Sequence, residues 1–317
     1  MAFNILITGA SGFIGSFLCE EALRRGHNVW AGMRPHSSKR YLQLERLNFL
    51  TLDLTDRDSL KQTLSSAPRF DIIIHAGGAT KCLDRNDFFR NNFDCTKNLV
   101  DMLPYQPRQF IYLSSLSVIG SSVYGESKLR TEEYLKSLQG FPCVIFRPTG
   151  VYGPREKDYF VMVQSIKNHI DFAVRPSTKG GKDQILTFIY VADLVGAIMA
   201  AVEKGVVGRT YAVTDGYNYG SREFSDLIQK ELGIKHVLHI KAPLWLLKMV
   251  TTISDEWAQK VTKRPTTLNR DKYRIMSQMD WSCDITPMKE ELGFVPQWNL
   301  EKGVKETIKW YKRNNWI

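Results

Sequence analysis

The first half of the chain alternates short, almost wholly apolar runs with longer stretches whose apolar residues recur at every third or fourth position. Phe3–Ile7, Asn28–Met33, Leu47–Asp53, Asp71–His75, Gln109–Leu113 and Cys143–Arg147 have the length and apolar content of buried strands. Between them, Phe13–Leu23, a short segment opened by Thr55-Asp56-Arg57-Asp58, Asp87–Leu103 and Glu126–Ser137 read as helices. Apolar strands joined by helices imply parallel pairing, with helices covering both faces. The expected fold is a doubly wound α/β sheet.

Beyond Pro154 the pattern loosens. Phe160–His169 and Asp193–Glu203 are helix candidates, Pro176–Asp183 is a polar, glycine-containing loop, and Thr210–Val213 is strand-like. A helix from Arg222 to Leu232, a short strand at His236–Ile240, the apolar stretch Pro243–Val250 and an amphipathic helix over Leu300–Trp316 complete the chain. This predicts a larger lobe of residues 1–155, with 184–216 returning to it, and a smaller interleaved lobe of 156–183 and 217–317.

The junction between the first strand and helix, Thr8-Gly9-Ala10-Ser11-Gly12-Phe13-Ile14-Gly15, has the character of a phosphate-binding turn. Gly9 permits a tight exit from the strand, Gly12 lets backbone approach a pyrophosphate, and Gly15 lets the helix pack closely on the sheet. The helix then aims its N–H groups and positive end at the anion. The spacing is G-x-x-G-x-x-G, distinct from G-x-G-x-x-G.

A second motif, Tyr124-Gly125-Glu126-Ser127-Lys128, stands at the start of the helix after the fifth strand. Four-residue spacing puts Tyr124 and Lys128 on one helical face. A phenol with an ordinary pKa near 10 needs a nearby cation to exchange protons near neutrality, and Lys128 can supply it. Ser115, at the carboxyl end of the fifth strand, can donate a hydrogen bond to a carbonyl oxygen that becomes negative.

Together these motifs make the chain resemble an extended short-chain dehydrogenase/reductase of the epimerase/dehydratase superfamily. The likeness runs on through Leu52–Asp56 (L-D-L-T-D), Ser114–Gly120, Arg147–Pro154 (R-P-T-G-V-Y-G-P) and Val191–Leu194. It implies a Rossmann-type sheet with a smaller C-terminal substrate lobe and a catalytic triad of Ser115, Tyr124 and Lys128. Gly9, Ser11, Gly12, Phe13, Ile14 and Gly15 would then hold the cofactor phosphates, and Asp53 and Leu54 would flank its adenine. His75, Ala76, Gly77 and Leu113 would pass beneath the dinucleotide, and Tyr124 and Lys128 would reach its ribose. A homodimer is likewise implied.

Departures from the family pattern narrow the substrate. Nucleotide-sugar members usually carry Asn where this chain has Gly150, and Arg-Asp where it has Leu186-Thr187. A diphosphate needs such donors and cations. Leu116-Ser117 stands where sugar dehydratases have an acidic pair. The endings at Asp284–Pro287, Leu292–Pro296, Trp310-Tyr311 and Trp316 resemble the hydroxysteroid dehydrogenase and dihydroflavonol reductase branch. The expected activity is reduction of a ketone, or oxidation of a secondary alcohol, on an apolar steroid-like or long-chain lipid-like molecule. The alternatives are a nucleotide-sugar epimerase or dehydratase that retains its cofactor, and a non-catalytic dinucleotide-binding regulator. Ser115 and Tyr124 are unusually close in sequence for the family, which leaves either a more open pocket or a site covered by another segment.

At the adenosine end, Met33-Arg34 replaces the acidic residue that binds both ribose hydroxyls in NAD-preferring relatives. Arg34, with Ser37, Ser38, Lys39 and Arg40 behind it, favours NADP(H), while NAD(H) stays open because an arginine there can also stack on adenine.

Composition adds limits. With 317 residues, 43% hydrophobic, the chain can bury a large core. Only Met1 and Ala2 precede the first strand and no run of about 18 apolar residues occurs, so a cytoplasmic protein without signal peptide or membrane span is expected. Five cysteines without a C-x-x-C pair argue against a disulfide framework or zinc site, and no histidines stand at metal-ligand spacing. The net charge of +10 would suit a phosphorylated ligand, an anionic surface or nucleic acid. Basic residues cluster only at Arg34–Arg40 and Lys260–Arg264, without a nucleic-acid motif, so nucleic acid is not expected. Pro243–Val250 suits core packing or a substrate pocket first, and a membrane surface, helped by Lys248 and the downstream cluster, third.

Overall fold

The computed structural model describes residues 1–175, 184–267 and 269–317. The loop expected over 176–183, with its glycine-lysine run, lies outside the described residues. Seven parallel strands form the central sheet: β1 (Asn4–Thr8), β2 (Asn28–Met33), β3 (Leu47–Thr51), β4 (Ile72–His75), β5 (Gln109–Leu113), β6 (Cys143–Pro148) and, at the edge beside β6, β10 (Arg209–Val213). Their order, β10-β6-β5-β4-β1-β2-β3, reverses direction between β1 and β4. That switch point opens the crevice in which doubly wound sheets bind ligands.

The strands are apolar throughout because both faces are covered. Ile5, Ile7, Ile74, Ile111 and Phe146 pack with Leu18 and Ala22 of α1 (Phe13–Arg24) and with Leu194 and Ile198 of α7 (Val191–Lys204). From the opposite face Leu6, Ile73, Phe110 and Ile145 meet Leu60 and Leu64 of α2 (Arg57–Ser66), Leu99 of α4 (Cys95–Asp101) and Leu135 of α5 (Val123–Ser137).

Three local differences from the sequence expectation have identifiable causes. The third strand stops at Thr51, because Asp53 folds back to accept from the Thr55 N–H and hydroxyl at 2.9 and 2.6 Å. The helix expected over Asp87–Leu103 is divided into α3 (Arg85–Phe88), a π-helical turn (Phe89–Asp94) and α4. There the Asn92 side chain bonds Ala79 and Ser127 outside the helix. α5 starts at Val123 rather than Glu126, because Ser122 accepts from the Gly125 N–H at 2.9 Å and caps it.

A further group of elements surrounds an aromatic core of Tyr152, Phe188, Tyr190, Phe224 and Tyr311. They include the parallel pair β7 (Gly150–Tyr152) and β9 (Phe188–Tyr190), α6 (Asp158–Lys167), α8 (Glu223–Leu232) and α12 (Leu300–Arg313). A second parallel pair, β8 (Ile170–Arg175) with β11 (Leu238–Pro243), leads into α9 (Leu244–Trp257), followed by α10 (Arg270–Met276) and α11 (Thr286–Leu292). The apolar stretch Pro243–Val250 thus forms the start of a helix that buries Leu247 and exposes Trp245. Among the described residues no helix is long and apolar enough to cross a membrane.

Candidate active site

Register places the carboxyl ends of the central strands side by side, with Thr8 opposite both Gly32 and His75, His75 opposite Tyr112, and Leu113 opposite Phe146. At this edge the turns after β1 and β4 touch. Gly9 has φ +68°, and a Cβ there would stand 2.7 Å from the Gly77 backbone nitrogen. A Cβ on Gly15 would stand 2.2 Å from the Gly9 carbonyl oxygen. Gly12 opens α1 with no side-chain cap, leaving the first N–H groups of Phe13, Ile14 and Gly15 for an anion. A cradle that any Cβ would fill, at an uncapped helix start, fits a dinucleotide pyrophosphate.

Beneath it, His75 Nδ1 lies 2.6 Å from Thr8 Oγ1 and Nε2 lies 2.9 Å from Thr96 Oγ1, tying β1, β4 and α4 together. Full burial, helped by the Lys128 charge, pulls this imidazole down to about 3, so it is neutral and structural at physiological pH.

Ser115, directly after β5, accepts from the Ser117 N–H at 3.1 Å, and its side chain hydrogen-bonds Tyr124 in the first turn of α5. One turn further, Lys128 is buried at 5% exposure, donates to the Leu113 carbonyl at 2.9 Å and lies 4.8 Å above the Tyr112 ring. Gly78 makes room for it, since a Cβ there would come within 3.2 Å of Nζ. Burial lowers the Lys128 ammonium to about 8, opposed by the Glu132 carboxylate, so the group stays charged near neutrality. The Tyr124 phenol moves the other way, to about 12: burial raises it, the Ser115 hydrogen bond opposes the rise, and the Asp271 carboxylate adds to it. The site therefore holds a protonated phenol one helical turn from a cation.

Two further motif residues prove to hold the frame. Arg147 makes a two-pronged bond to the wholly buried Glu132, which also accepts from Ser114 at 2.6 Å. Asp193 accepts from the N–H groups of Gln297 and Trp298, pinning the C-terminal segment.

Asn92 and Asp271 are the site residues that sequence reasoning did not reach. Asn92, wholly buried, ties the turn after β4 to α5 through Ala79 and Ser127. Asp271 accepts from the N–H groups of Val123 and Tyr124, and Arg274 donates to the Ser121 carbonyl at 3.3 Å. Helix α10, from the far end of the chain, thus backs the short Ser115–Tyr124 connection. Lys81 joins the same cover, paired with Asp158 and donating to Thr267 Oγ1 at 3.0 Å. No spacing rule links positions so distant in sequence.

At the adenosine end Arg34 is exposed just past β2, and among the described residues no carboxylate forms an ion pair with it. The Thr55 hydrogen bonds hold Asp53 below the usual carboxylate range, with Arg34 adding a smaller push in the same direction. Leu54 accepts from Asn98 Nδ2 through its carbonyl at 2.9 Å. On the substrate side, a Cβ at Gly150 would stand 2.3 Å from the Tyr159 hydroxyl, whose ring packs against Phe188 and Phe224. Leu186 pairs backbone to backbone with Tyr219, and Thr187 donates to the Trp281 carbonyl at 2.7 Å.

The model of the NAD dependent epimerase/dehydratase family matches residues 5–214. Over the full chain, UDP-N-acetyl-alpha-D-glucosaminuronate decarboxylase of Bacillus cytotoxicus is 26% identical, with 98% of each chain covered. Sterol-4-alpha-carboxylate 3-dehydrogenase, decarboxylating, of Candida albicans is 22% identical, with 97% of each covered. Among solved structures, the dTDP-glucose 4,6-dehydratase of Bacillus anthracis in complex with NAD superposes with a TM-score of 0.77 at 18% identity, covering 99% of this chain and 98% of that one. These likenesses bracket sugar-nucleotide and sterol enzymes on one fold, and the chain belongs to the NAD-dependent epimerase/dehydratase family.

Proposed function

We propose that this enzyme reduces a ketone, or oxidises the matching secondary alcohol, on an apolar steroid-like or long-chain lipid-like substrate, with NADP(H) preferred over NAD(H). The observation that carries the substrate class is the Tyr159 hydroxyl filling the space a side chain at Gly150 would need. Nucleotide-sugar members place an Asn there. Where those members present Arg-Asp, Leu186 offers no polar side-chain group and the Thr187 hydroxyl is spent on the Trp281 carbonyl. A substrate side without those donors and cations favours an apolar ligand over a diphosphate. The sterol dehydrogenase relative is in keeping with this reading.

When bound, the nicotinamide supplies the hydride. Ser115 donates a hydrogen bond to the substrate carbonyl oxygen as negative charge develops. Tyr124 passes its proton to that oxygen, and Lys128 favours the resulting phenolate and holds the nicotinamide ribose hydroxyls. Arg34, unpaired and exposed, offers a planar fork to a 2′-phosphate. The resemblance further points to a homodimer.

A second reading, a nucleotide-sugar epimerase that retains its cofactor, is favoured by the decarboxylase relative named for a UDP-sugar. Reduced-nicotinamide absorbance followed with a panel of apolar ketones and a panel of UDP- and GDP-sugars separates the two. Net oxidation of NADPH with an apolar ketone is the expected result. No net oxidation, with conversion of a nucleotide sugar seen by chromatography, overturns it.

A further inference from the structure

Helix α9 carries an apolar face that no part of the described chain covers. Trp245, Met249, Ile253, Trp257 and Val261 recur at four-residue spacing through α9 and the π-helical turn that continues it (Ala258–Thr262), each between 48% and 68% exposed. The stripe runs about 24 Å along the surface at 1.5 Å per residue. The opposite side of the same helix is the one packed inward, through Leu247, Thr251 and Ala258. Exposed Leu238 and Phe172 lie on the strand pair that leads into it. Soluble proteins rarely leave an apolar run of this size, with two tryptophans in it, facing water.

The charges around the stripe select its occupant. Segment 244–264 carries Lys248, Lys260, Lys263 and Arg264 against Asp255 and Glu256. Both carboxylates are engaged by Arg270: Asp255 accepts from its backbone N–H, and Glu256 from its guanidinium at 3.0 Å. Among the described residues Lys248, Lys263 and Arg264 have no carboxylate partner. A second copy of this face would bring the same cations against them. An anionic lipid surface instead takes the tryptophans at its headgroup level and the cations against its phosphates.

We infer that α9 is a docking face for an anionic lipid bilayer, lying in the interface plane rather than spanning it. The face stands on the walls of the candidate active site. Gln259 donates to the Leu83 carbonyl beyond the β4 turn, and α10, packed on α9, holds the start of α5 through Asp271. A lipid-like ketone would thereby reach the crevice from the bilayer. That delivery role rests on the proposed apolar substrate, whereas docking itself is measured without substrate or cofactor.

The test is co-sedimentation of the full chain with vesicles of phosphatidylcholine alone and of phosphatidylcholine with phosphatidylglycerol at about two to one. The expected result is binding to the anionic vesicles, weakened by salt, and lost by roughly tenfold or more in Trp245→Glu/Trp257→Glu that keeps its circular dichroism spectrum and Tm. Lys263→Gln/Arg264→Gln should lose the preference for anionic lipid. Wild-type protein left in the supernatant with both vesicles overturns the inference. So does concentration-dependent dimerisation, without lipid binding, that the tryptophan substitutions abolish. Should those substitutions unfold the chain, quenching of wild-type tryptophan fluorescence by brominated lipid decides the matter: quenching supports docking, and its absence refutes it. Docking with no ketone reductase activity would leave the surface standing and remove only the substrate.

Discussion

Asp271 accepts a hydrogen bond from the backbone N–H of Tyr124 at 3.2 Å, so a carboxylate 147 positions away holds the helix start that carries the candidate proton donor. Its other oxygen takes the N–H of Val123. Two orphan donors of α5 are thus satisfied from the C-terminal part of the chain, and the phenol is placed by a residue that need not touch substrate.

Removing that support should separate positioning from binding. Asp271→Ala is expected to destabilise the fold by about 1 kcal/mol, as for a lost helix cap, and to lower kcat roughly tenfold through misplacement of Tyr124. Cofactor affinity in a binary titration should stay near that of wild type. Because the carboxylate disfavours the phenolate, Asp271→Asn should also move the alkaline rise of alcohol oxidation to lower pH. A variant with unchanged kcat and pH profile would deny Asp271 a positioning role.

Lys128 sets the pH dependence. With its ammonium lowered to about 8, ketone reduction should hold steady below that pH and decline above it, as the charge that makes Tyr124 a better acid disappears. For stability the sign is the opposite. Between about 8 and the ordinary value of 10.5 the unfolded chain binds the proton that the folded chain has released. Wild type should therefore gain stability relative to Lys128→Met as pH rises through that window, by at most about 1.4 kcal/mol per pH unit. Denaturant titrations at three pH values measure the difference.

Gly150→Asn asks whether the sugar-nucleotide pattern can be restored. Its Cβ would meet the Tyr159 hydroxyl at 2.3 Å, so a loss of about 1–3 kcal/mol from overpacking is expected. Pairing it with Tyr159→Phe should recover part of that loss. A fully stable single variant would mean that Tyr159 yields its place readily, and the argument against a bound sugar nucleotide would weaken.

Arg34→Ala should raise KM for NADPH at least about tenfold and leave KM for NADH nearly unchanged, because only the former loses a charged fork on its 2′-phosphate. An equal rise for both cofactors would contradict the preference for NADP(H).

Much of this is legible in the amino-acid sequence itself. The six strands, the glycine turn and the Tyr124–Lys128 pair are local patterns, set by periodicity within a few residues, and the sheet and α5 display them. What stayed hidden is long-range. Asn92 earns its place by leaving its own helix for Ala79, and Asp271 by reaching back to α5. Neither bond leaves a spacing in the sequence. The short Ser115–Tyr124 connection is backed from the far end of the chain, where Arg274 of α10 donates to the Ser121 carbonyl. The stretch Pro243–Val250 was ambiguous for a different reason. An apolar run reports that burial is available but not against what, and the helix divides it between Leu247 inward and Trp245 outward.

The central claim is hydride chemistry at Tyr124 on an apolar ketone, and the direct measurement is deuterium transfer from NADPH labelled at the nicotinamide C4. Wild type should carry the label onto the carbinol carbon of the product, and Tyr124→Phe should do so at least about a hundredfold more slowly while binding NADPH normally. Full-rate transfer by Tyr124→Phe would contradict the account, as would label that never leaves the cofactor while a nucleotide sugar is epimerised.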